Sequence, residues 1–353
     1  MKGLVRPQLE GIVEYTLRQY PHRIKMNQNE NPFELPEGIK REIVERLAAE
    51  RWSRYPAFVP ERQLAKLAAF TGWKPEGVLL GNGSNDLLQL LFLSVLDGGR
   101  GVVLSQPTFT LYKLLAQGLG APLREVMMRR PFAFDVDGII DAARALHAAM
   151  IVLCSPNNPT GTQIDRKDVE RILGETDALV VVDEAYVQFA SGSVTGLLES
   201  TGRLVVLQTF SKAMGAAGLR FGYALLDPGL ARELSKIKLP YAVNIFTLIA
   251  AEVLMDRWGE VKGWIGTLTA ERERLRRAMA SMEGISVHPS SANFLLFETE
   301  RRTAGEVFDA LLARGILIRN VSSYPMLERG LRVSVGNRGE NDEFLAALQK
   351  ALT

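Results

Sequence analysis

The sequence predicts an α/β fold: a large domain with a mostly parallel sheet covered by helices on both faces, followed by a smaller C-terminal α/β domain. Three observations predict it. Runs rich in Val, Ile and Leu recur, mostly without alternation, at Val78–Leu80, Val102–Leu104, Met150–Cys154, Leu179–Val182, Leu204–Leu207 and Tyr223–Leu226, as expected of strands buried on both faces. Segments with helical spacing lie between them, and strands alternating with helices fold as a parallel sheet. From about Phe246 the pattern changes to a long helical stretch followed by short strands.

Taken in order, Asp86–Leu96 carries leucines at 87, 88, 90, 91 and 93 behind a Ser/Asn/Asp start and predicts a helix. Asp165–Leu173 opens on an acid and is expected to close before Gly174. Residues 246–283 read as long helix, with Glu271, Arg272, Glu273 and Arg274 on a solvated face. Strands are expected at Ile285–Val287, Phe294–Phe297, Ile316–Ile318 and Leu331–Val335, and helices at Ala304–Ala313 and Asn341–Ala351. This divides the chain into an N-terminal segment (1–30) that helps cover the site, a large domain (31–245) and a small C-terminal domain (246–353).

At 353 residues and 47% hydrophobic, the chain has ample material for a large buried core. Lys and Arg number 42 against 40 Asp and Glu, a net +2 that gives no field for nucleic acid or an acidic membrane. Any anion must therefore be held by placed groups. The single cysteine, Cys154, excludes an internal disulfide, and His22, His147 and His288 are too scattered for a histidine-based metal site. Met1–Tyr20 lacks the apolar core of an export signal, and no apolar run reaches the roughly 20 residues of a membrane span, so a cytoplasmic location is expected.

Sites in parallel sheets lie beyond the carboxyl ends of the strands. Gly81-Asn-Gly-Ser-Asn-Asp86 follows one strand end. Its glycines allow close backbone approach, and Ser84 can cap a helix whose free N–H groups face an anion. A dinucleotide site fails here, because Asp86 holds the third glycine position and the next strand ends in Ser105-Gln106 without a ribose-binding acid. Ser155-Pro-Asn-Asn-Pro-Thr-Gly161 is a stiff turn that offers the Asn158 amide above the sheet. Asp183 ends an apolar strand and needs a partner, such as a helix N-terminus or a cationic ring nitrogen, with Tyr186 three residues on. Lys212, in Gln208-Thr-Phe-Ser-Lys212, sits among small residues, where a lysine acquires a lowered pKa and attacks carbonyl carbon. Thr209, Ser211 and Arg220 offer donors to a phosphate. Arg332 lies inside an apolar strand and demands an anion, either a structural carboxylate or a substrate.

In this order the motifs resemble the fold-type I, class-II aminotransferases that use pyridoxal 5'-phosphate, from Asn27-Gln-Asn-Glu-Asn-Pro32 to Leu331-Arg-Val-Ser-Val-Gly336. Within them the chain looks most like the histidinol-phosphate branch, on Asn29-Glu-Asn-Pro32, Arg54-Tyr-Pro56, Asp183-Glu-Ala-Tyr186, Thr209-Phe-Ser-Lys212, Ala217-Gly-Leu-Arg220, Asn293-Phe294 and Gly315-Ile-Leu-Ile-Arg319. The resemblance implies transamination between histidinol phosphate and 2-oxoglutarate in histidine biosynthesis. An aromatic amino-acid aminotransferase and a threonine-phosphate decarboxylase are the rivals within the family.

The resemblance also implies roles. Lys212 bonds the cofactor aldehyde, Asp183 the ring nitrogen, and Asn158 and Tyr186 the phenolic oxygen. Phe109 stacks on the ring. Ser84, Asn85, Thr209, Ser211 and Arg220 hold the phosphate. Tyr55 reaches the phosphate of the neighbouring subunit in a homodimer. Arg332 binds the donor's carboxylate, Arg319 and Tyr15 the substrate phosphate, and Asn29 lies among the substrate contacts. No metal is expected. Phe109 stands where many members have Tyr, Gln208 where relatives often have Arg, and Gln28 where a small residue is common.

Overall fold

A computed structural model describes residues 3–14 and 18–352. Its strands are β1 (Ile24–Lys25), β2 (Val78–Asn82), β3 (Val102–Gln106), β4 (Leu123–Met127), β5 (Met150–Cys154), β6 (Leu179–Asp183), β7 (Leu204–Thr209), β8 (Phe221–Leu226), β9 (Ile285–Val287), β10 (Phe294–Thr299), β11 (Ile316–Leu317), β12 (Arg319–Asn320) and β13 (Gly330–Ser334). Its α-helices are α1 (Glu37–Ala48), α2 (Glu61–Thr71), α3 (Ser84–Val95), α4 (Leu111–Leu119), α5 (Val136–Leu146), α6 (Arg166–Glu175), α7 (Pro228–Ser235), α8 (Ile245–Asp256), α9 (Trp258–Val261), α10 (Gly263–Ala280), α11 (Ala304–Leu312) and α12 (Arg338–Leu352).

The large sheet has seven strands in the order β2-β8-β7-β6-β5-β3-β4. β8 is antiparallel to both neighbours, and the other pairings are parallel. Successive side chains go to opposite faces. Ile151, Leu153, Val180, Val182 and Val206 join one apolar cluster with α1, α5 and α8, while Met150, Val152, Cys154, Val181 and Leu207 join another with α3 and Tyr112 of α4. Asp183 ends β6 in register with Cys154 and Leu207. It therefore meets the face that carries Tyr112.

The small domain is a four-stranded antiparallel sheet, β12-β13-β10-β9, packed under α10, α11 and α12. β1 pairs in parallel with β11, so the N-terminal segment is sewn to the far end of the chain. Among the described residues no helix is long and apolar enough to cross a membrane.

Several local expectations are corrected. The stretch 246–283 is three helices, broken at Arg257 and Lys262. Val253, Leu254, Met255 and Val261 belong to the large-domain cluster, whereas Leu268, Leu275 and Met279 belong to the small-domain cluster, so the cores change over within α10. Glu271 and Arg272 are buried: Asn341 Nδ2 donates to Glu271 Oε2 (2.8 Å), and Arg272 Nη1 donates to Ala292 O (2.9 Å). α6 runs through Gly174 to Glu175. The cap of α3 is Gly83, and Ser84 is the first helical residue with no side-chain capping bond.

Candidate active site

A cleft of about 420 Å³ lies over the carboxyl ends of β5, β6 and β7. Its lining includes Lys212, Asp183, Tyr186, Asn158, Phe109, Ser84, Asn85, Thr209, Ser211, Arg220, Arg332, Arg319 and Asn29. Tyr15 lies outside the described residues. Tyr55 is the remaining predicted residue and is not in this cleft: it is 80% exposed and stacks on Tyr241 (4.6 Å, 19° between planes).

Asp183 is buried at the end of β6. Tyr112 Oη donates to its Oδ2 (2.7 Å) and the Ala185 N–H to its Oδ1 (3.1 Å). Burial pushes the carboxyl above its ordinary pKa, while Tyr112, Ala185 and the Lys212 ammonium pull it back. Lys212 follows β7, and its ammonium donates to Gln28 O (2.9 Å) and lies 5.9 Å from the centre of the Tyr186 ring. Burial, reinforced by the nearby Arg332 charge, lowers its pKa to about 8. Tyr186 Oη accepts from Asn29 Nδ2 (3.0 Å), and burial raises its pKa.

The anion cradle combines the first N–H groups of α3 with hydroxyls and a guanidinium. Thr209 Oγ1 and Ser211 Oγ are 2.9 Å apart. Arg220, held in the left-handed region (φ 55°), donates from Nη1 to Ala217 O (3.0 Å). The glycines explain the closeness. A Cβ on Gly83 would stand 2.4 Å from Arg220 Nη2, and one on Gly222 would stand 2.2 Å from the Ser84 nitrogen.

At the other end, Arg332 on β13 is paired in register with Arg319 on β12. Arg332 donates from Nη1 to Asn158 Oδ1 and from Nη2 to Asn27 O (2.6 Å), and it lies over the Phe294 ring (5.3 Å). Asn158 thus has its amide nitrogen left to offer the cleft. Asn29 (φ 55°) is held by Ser334 and Asn293: its N–H donates to Ser334 Oγ (2.8 Å) and its O accepts from Asn293 Nδ2 (3.0 Å).

These groups fit a flat, phosphorylated heteroaromatic aldehyde. A buried carboxylate suits the ring nitrogen, an amine of lowered pKa suits the aldehyde, Phe109 offers a ring face, and the α3 cradle suits the phosphate.

Sequence reasoning missed four contributors. Tyr112 sits at helical spacing from Phe109 and reads as core; a phenol on the buried face of α4 was its signal. Tyr324, from the β12–β13 loop, lines the cleft and accepts from Thr110 Oγ1 (2.9 Å). Gln28 acts through its carbonyl, which carries no residue-type signal. Glu184 lies behind Asp183 and accepts from Ser193 Oγ (2.7 Å), Val194 N–H (2.8 Å) and Gln208 Nε2 (2.7 Å). Burial raises its pKa to about 7, with the neighbouring Asp183 charge adding to the shift.

The chain belongs to the family "Aminotransferase class I and II", whose profile matches residues 21–348. Within it the chain groups with the histidinol-phosphate aminotransferases. It is 40% identical to that of Chlorobaculum tepidum over 349 residues, covering 98% of this chain and 100% of the relative. It is 38% identical to that of Chlorobium limicola, covering 99% and 98%. The fold matches the crystal structure of histidinol-phosphate aminotransferase from Sinorhizobium meliloti in complex with pyridoxal-5'-phosphate (TM-score 0.86, 26% identity, 94% of this chain and 91% of that one). It also matches L-threonine-O-3-phosphate decarboxylase from Porphyromonas gingivalis (TM-score 0.82, 22% identity, 94% and 99%), a likeness of fold alone.

Proposed function

We propose that this chain is a pyridoxal 5'-phosphate-dependent histidinol-phosphate aminotransferase, exchanging the amino group between histidinol phosphate and 2-oxoglutarate in histidine biosynthesis. The observation that carries the reading is the convergence, in one cleft, of a lysine with lowered pKa, a buried carboxylate and a glycine-lined anion cradle.

When bound, the cofactor supplies an aldehyde that captures amines and a ring that takes up the electron pair released at the substrate carbon. The chain's residues do the rest. Lys212 as a neutral amine would be the nucleophile for the aldehyde, and its Nζ would move the proton at the substrate carbon. Asp183 holds a proton on the ring nitrogen. Tyr186 Oη and the Asn158 amide bond the phenolic oxygen, and Phe109 covers a ring face. Ser84, Asn85, Thr209, Ser211 and Arg220 hold the phosphate. Arg332 binds the carboxylate of glutamate, and Arg319, with Tyr15, binds the phosphate of the second substrate. A guanidinium fork matches carboxylate and phosphate alike, which suits one cleft serving both substrates. Asn29 keeps Tyr186 in place beside the substrate. Exposed Tyr55 is assigned to the cofactor phosphate of the second subunit in a cytoplasmic homodimer.

A donor panel of histidinol phosphate, phenylalanine, tyrosine and threonine phosphate with 2-oxoglutarate tests the reading. The expected result is the highest kcat/KM for histidinol phosphate, with glutamate formed. Carbon dioxide release from threonine phosphate, or preference for a plain aromatic donor, would reassign the substrate.

A further inference from the structure

Tyr112 has no part in the roles assigned above, yet its hydroxyl bonds the Asp183 carboxylate directly. It is fully buried at the start of α4, one turn after Phe109. Its Oη donates to Asp183 Oδ2 at 2.7 Å, and its ring meets the Phe109 ring edge-on (5.6 Å, 88°). The Ala185 N–H holds the other carboxylate oxygen. Two donors thus fix the plane of the carboxylate, and each oxygen keeps lone-pair capacity for a further donor in the cleft.

We propose that Tyr112 is a positioning residue that sets both axes of the cofactor ring: it aims and ionises the Asp183 carboxylate opposite the ring nitrogen, and it braces the Phe109 ring that covers the ring face. The inference rests on the pyridoxal phosphate reading above. The physical reason is that a carboxylate taken out of water tends to protonate, and a protonated Asp183 offers no charge to a ring N–H. A phenol donor favours the charged form. The other ionisable groups facing Asp183 are Lys212 after β7, Cys154 on β5, Tyr186, and Glu184 on the following residue. Of these only the Lys212 ammonium favours the carboxylate, and Lys212 Nζ is the atom that would be taken up by the cofactor aldehyde. Cys154, with its pKa pushed up to about 12, and Tyr186 stay neutral near pH 7, and a charged Glu184 works against the carboxylate. Tyr112 is therefore the side-chain donor that does not depend on the state of the cofactor.

The test is equilibrium binding of pyridoxal phosphate to wild type and Tyr112→Phe between pH 5.5 and 9. The variant keeps the ring and the Phe109 contact and loses only the donor. Its Asp183 pKa rises, so the acid limb of the affinity profile is expected to move to higher pH, with affinity lost at the acid end of the range and kept at pH 9. Phe109→Leu is expected to weaken binding by a similar factor at every pH without moving the limb. In an Asp183→Asn background Tyr112→Phe is expected to move nothing further. If the Phe variant does not fold, Tyr112→Gln, which keeps an N–H donor that does not titrate, is read against Tyr112→Leu: the limb is expected within about 0.3 units of wild type in the first and at higher pH in the second, and equal limbs in the two overturn the role. A Tyr112→Phe profile superposed on wild type, or a shift that persists with Asp183→Asn, overturns the role of Tyr112. Wild type that forms no borohydride-reducible bond with pyridoxal phosphate overturns the function itself.

Discussion

Gln208 Nε2 donates to Glu184 Oε2 across 2.7 Å, and the oxygen of the same amide accepts from Tyr223 Oη at 2.6 Å. One side chain at the end of β7 therefore satisfies a buried carboxyl on one side and a buried phenol on the other. It does so behind the strand ends that carry Asp183 and Lys212. Gln208→Leu takes one of three donors from Glu184, which keeps Ser193 and Val194, and removes the acceptor of the Tyr223 hydroxyl, and a stability loss of about 1–3 kcal/mol is expected from urea unfolding. A midpoint equal to wild type would show that the two groups find other partners.

Glu184 also makes stability depend on pH. Its folded-state pKa, about 7, lies above the ordinary carboxyl value, so between the two the folded chain holds a proton that the unfolded chain has released. Stability from this group is thus present at low pH and is lost as pH rises towards and through 7. Glu184→Gln removes the titration. The melting-temperature gap between wild type and variant is expected to move in the variant's favour from pH 5 to pH 8, whichever protein melts higher at pH 5. A gap that is constant with pH would place the titration elsewhere.

Lys212, with a pKa of about 8, is mostly ammonium below that value and mostly nucleophilic amine above it. Capture of pyridoxal phosphate by the cofactor-free protein is expected to speed up about tenfold per pH unit below 8 and to level off above it. Arg332 contributes to the lowering, so Arg332→Gln should carry the limb to higher pH. Stopped-flow absorbance reads both. A limb unmoved in the variant would remove Arg332 as a cause.

Lys212→Ala is expected to fold, to bind the cofactor weakly without the visible band of the bonded form, and to lose turnover by a factor on the order of 10²–10⁴ or more. Near-normal transamination by this variant would end the assignment of the amine.

The two arginines facing each other across β12 and β13 are expected to separate by substrate. Arg319→Ala should raise KM for histidinol phosphate more than KM for glutamate, and Arg332→Ala should raise KM for glutamate by about tenfold or more. Equal changes for both substrates in the Arg319 variant would take that residue out of phosphate recognition.

Much of this site was legible in the sequence because buried parallel strands are unbroken apolar runs, and the polar residue that ends each one stands out. Asp183 was found that way, Asn158 and Lys212 in the short polar turns that follow β5 and β7, and Arg332 as a charge inside such a run. β4 was missed because an edge strand is half wet: Leu123–Met127 mixes charge with apolar residues and shows no run. Glu271 and Arg272 looked solvated because their partners, Asn341 and Ala292, lie far along the chain. Tyr112 and Tyr324 were hidden because an aromatic residue at helical or loop spacing reads as filling, and only the fold shows that their hydroxyls reach Asp183 and Thr110. The breaks at Arg257 and Lys262 carry no proline; their local signals are Gly259 and Gly263, which a helix can tolerate and which therefore read as part of one long helix.

The pairing of β1 with β11 sets a timetable for the chain as it leaves the ribosome. Ile24 and Met26 emerge well before the residues they pack against, since their cluster includes Ile316, Leu317 and Val333. Until those arrive the segment around β1 has no strand to pair with, so the cleft that Gln28 and Asn29 help wall gains that wall only after residue 317 has been made. Closing so long a loop costs only logarithmically in entropy, yet it delays the contact. Nascent chains halted before residue 316 would therefore carry the seven-stranded sheet but not a finished pocket.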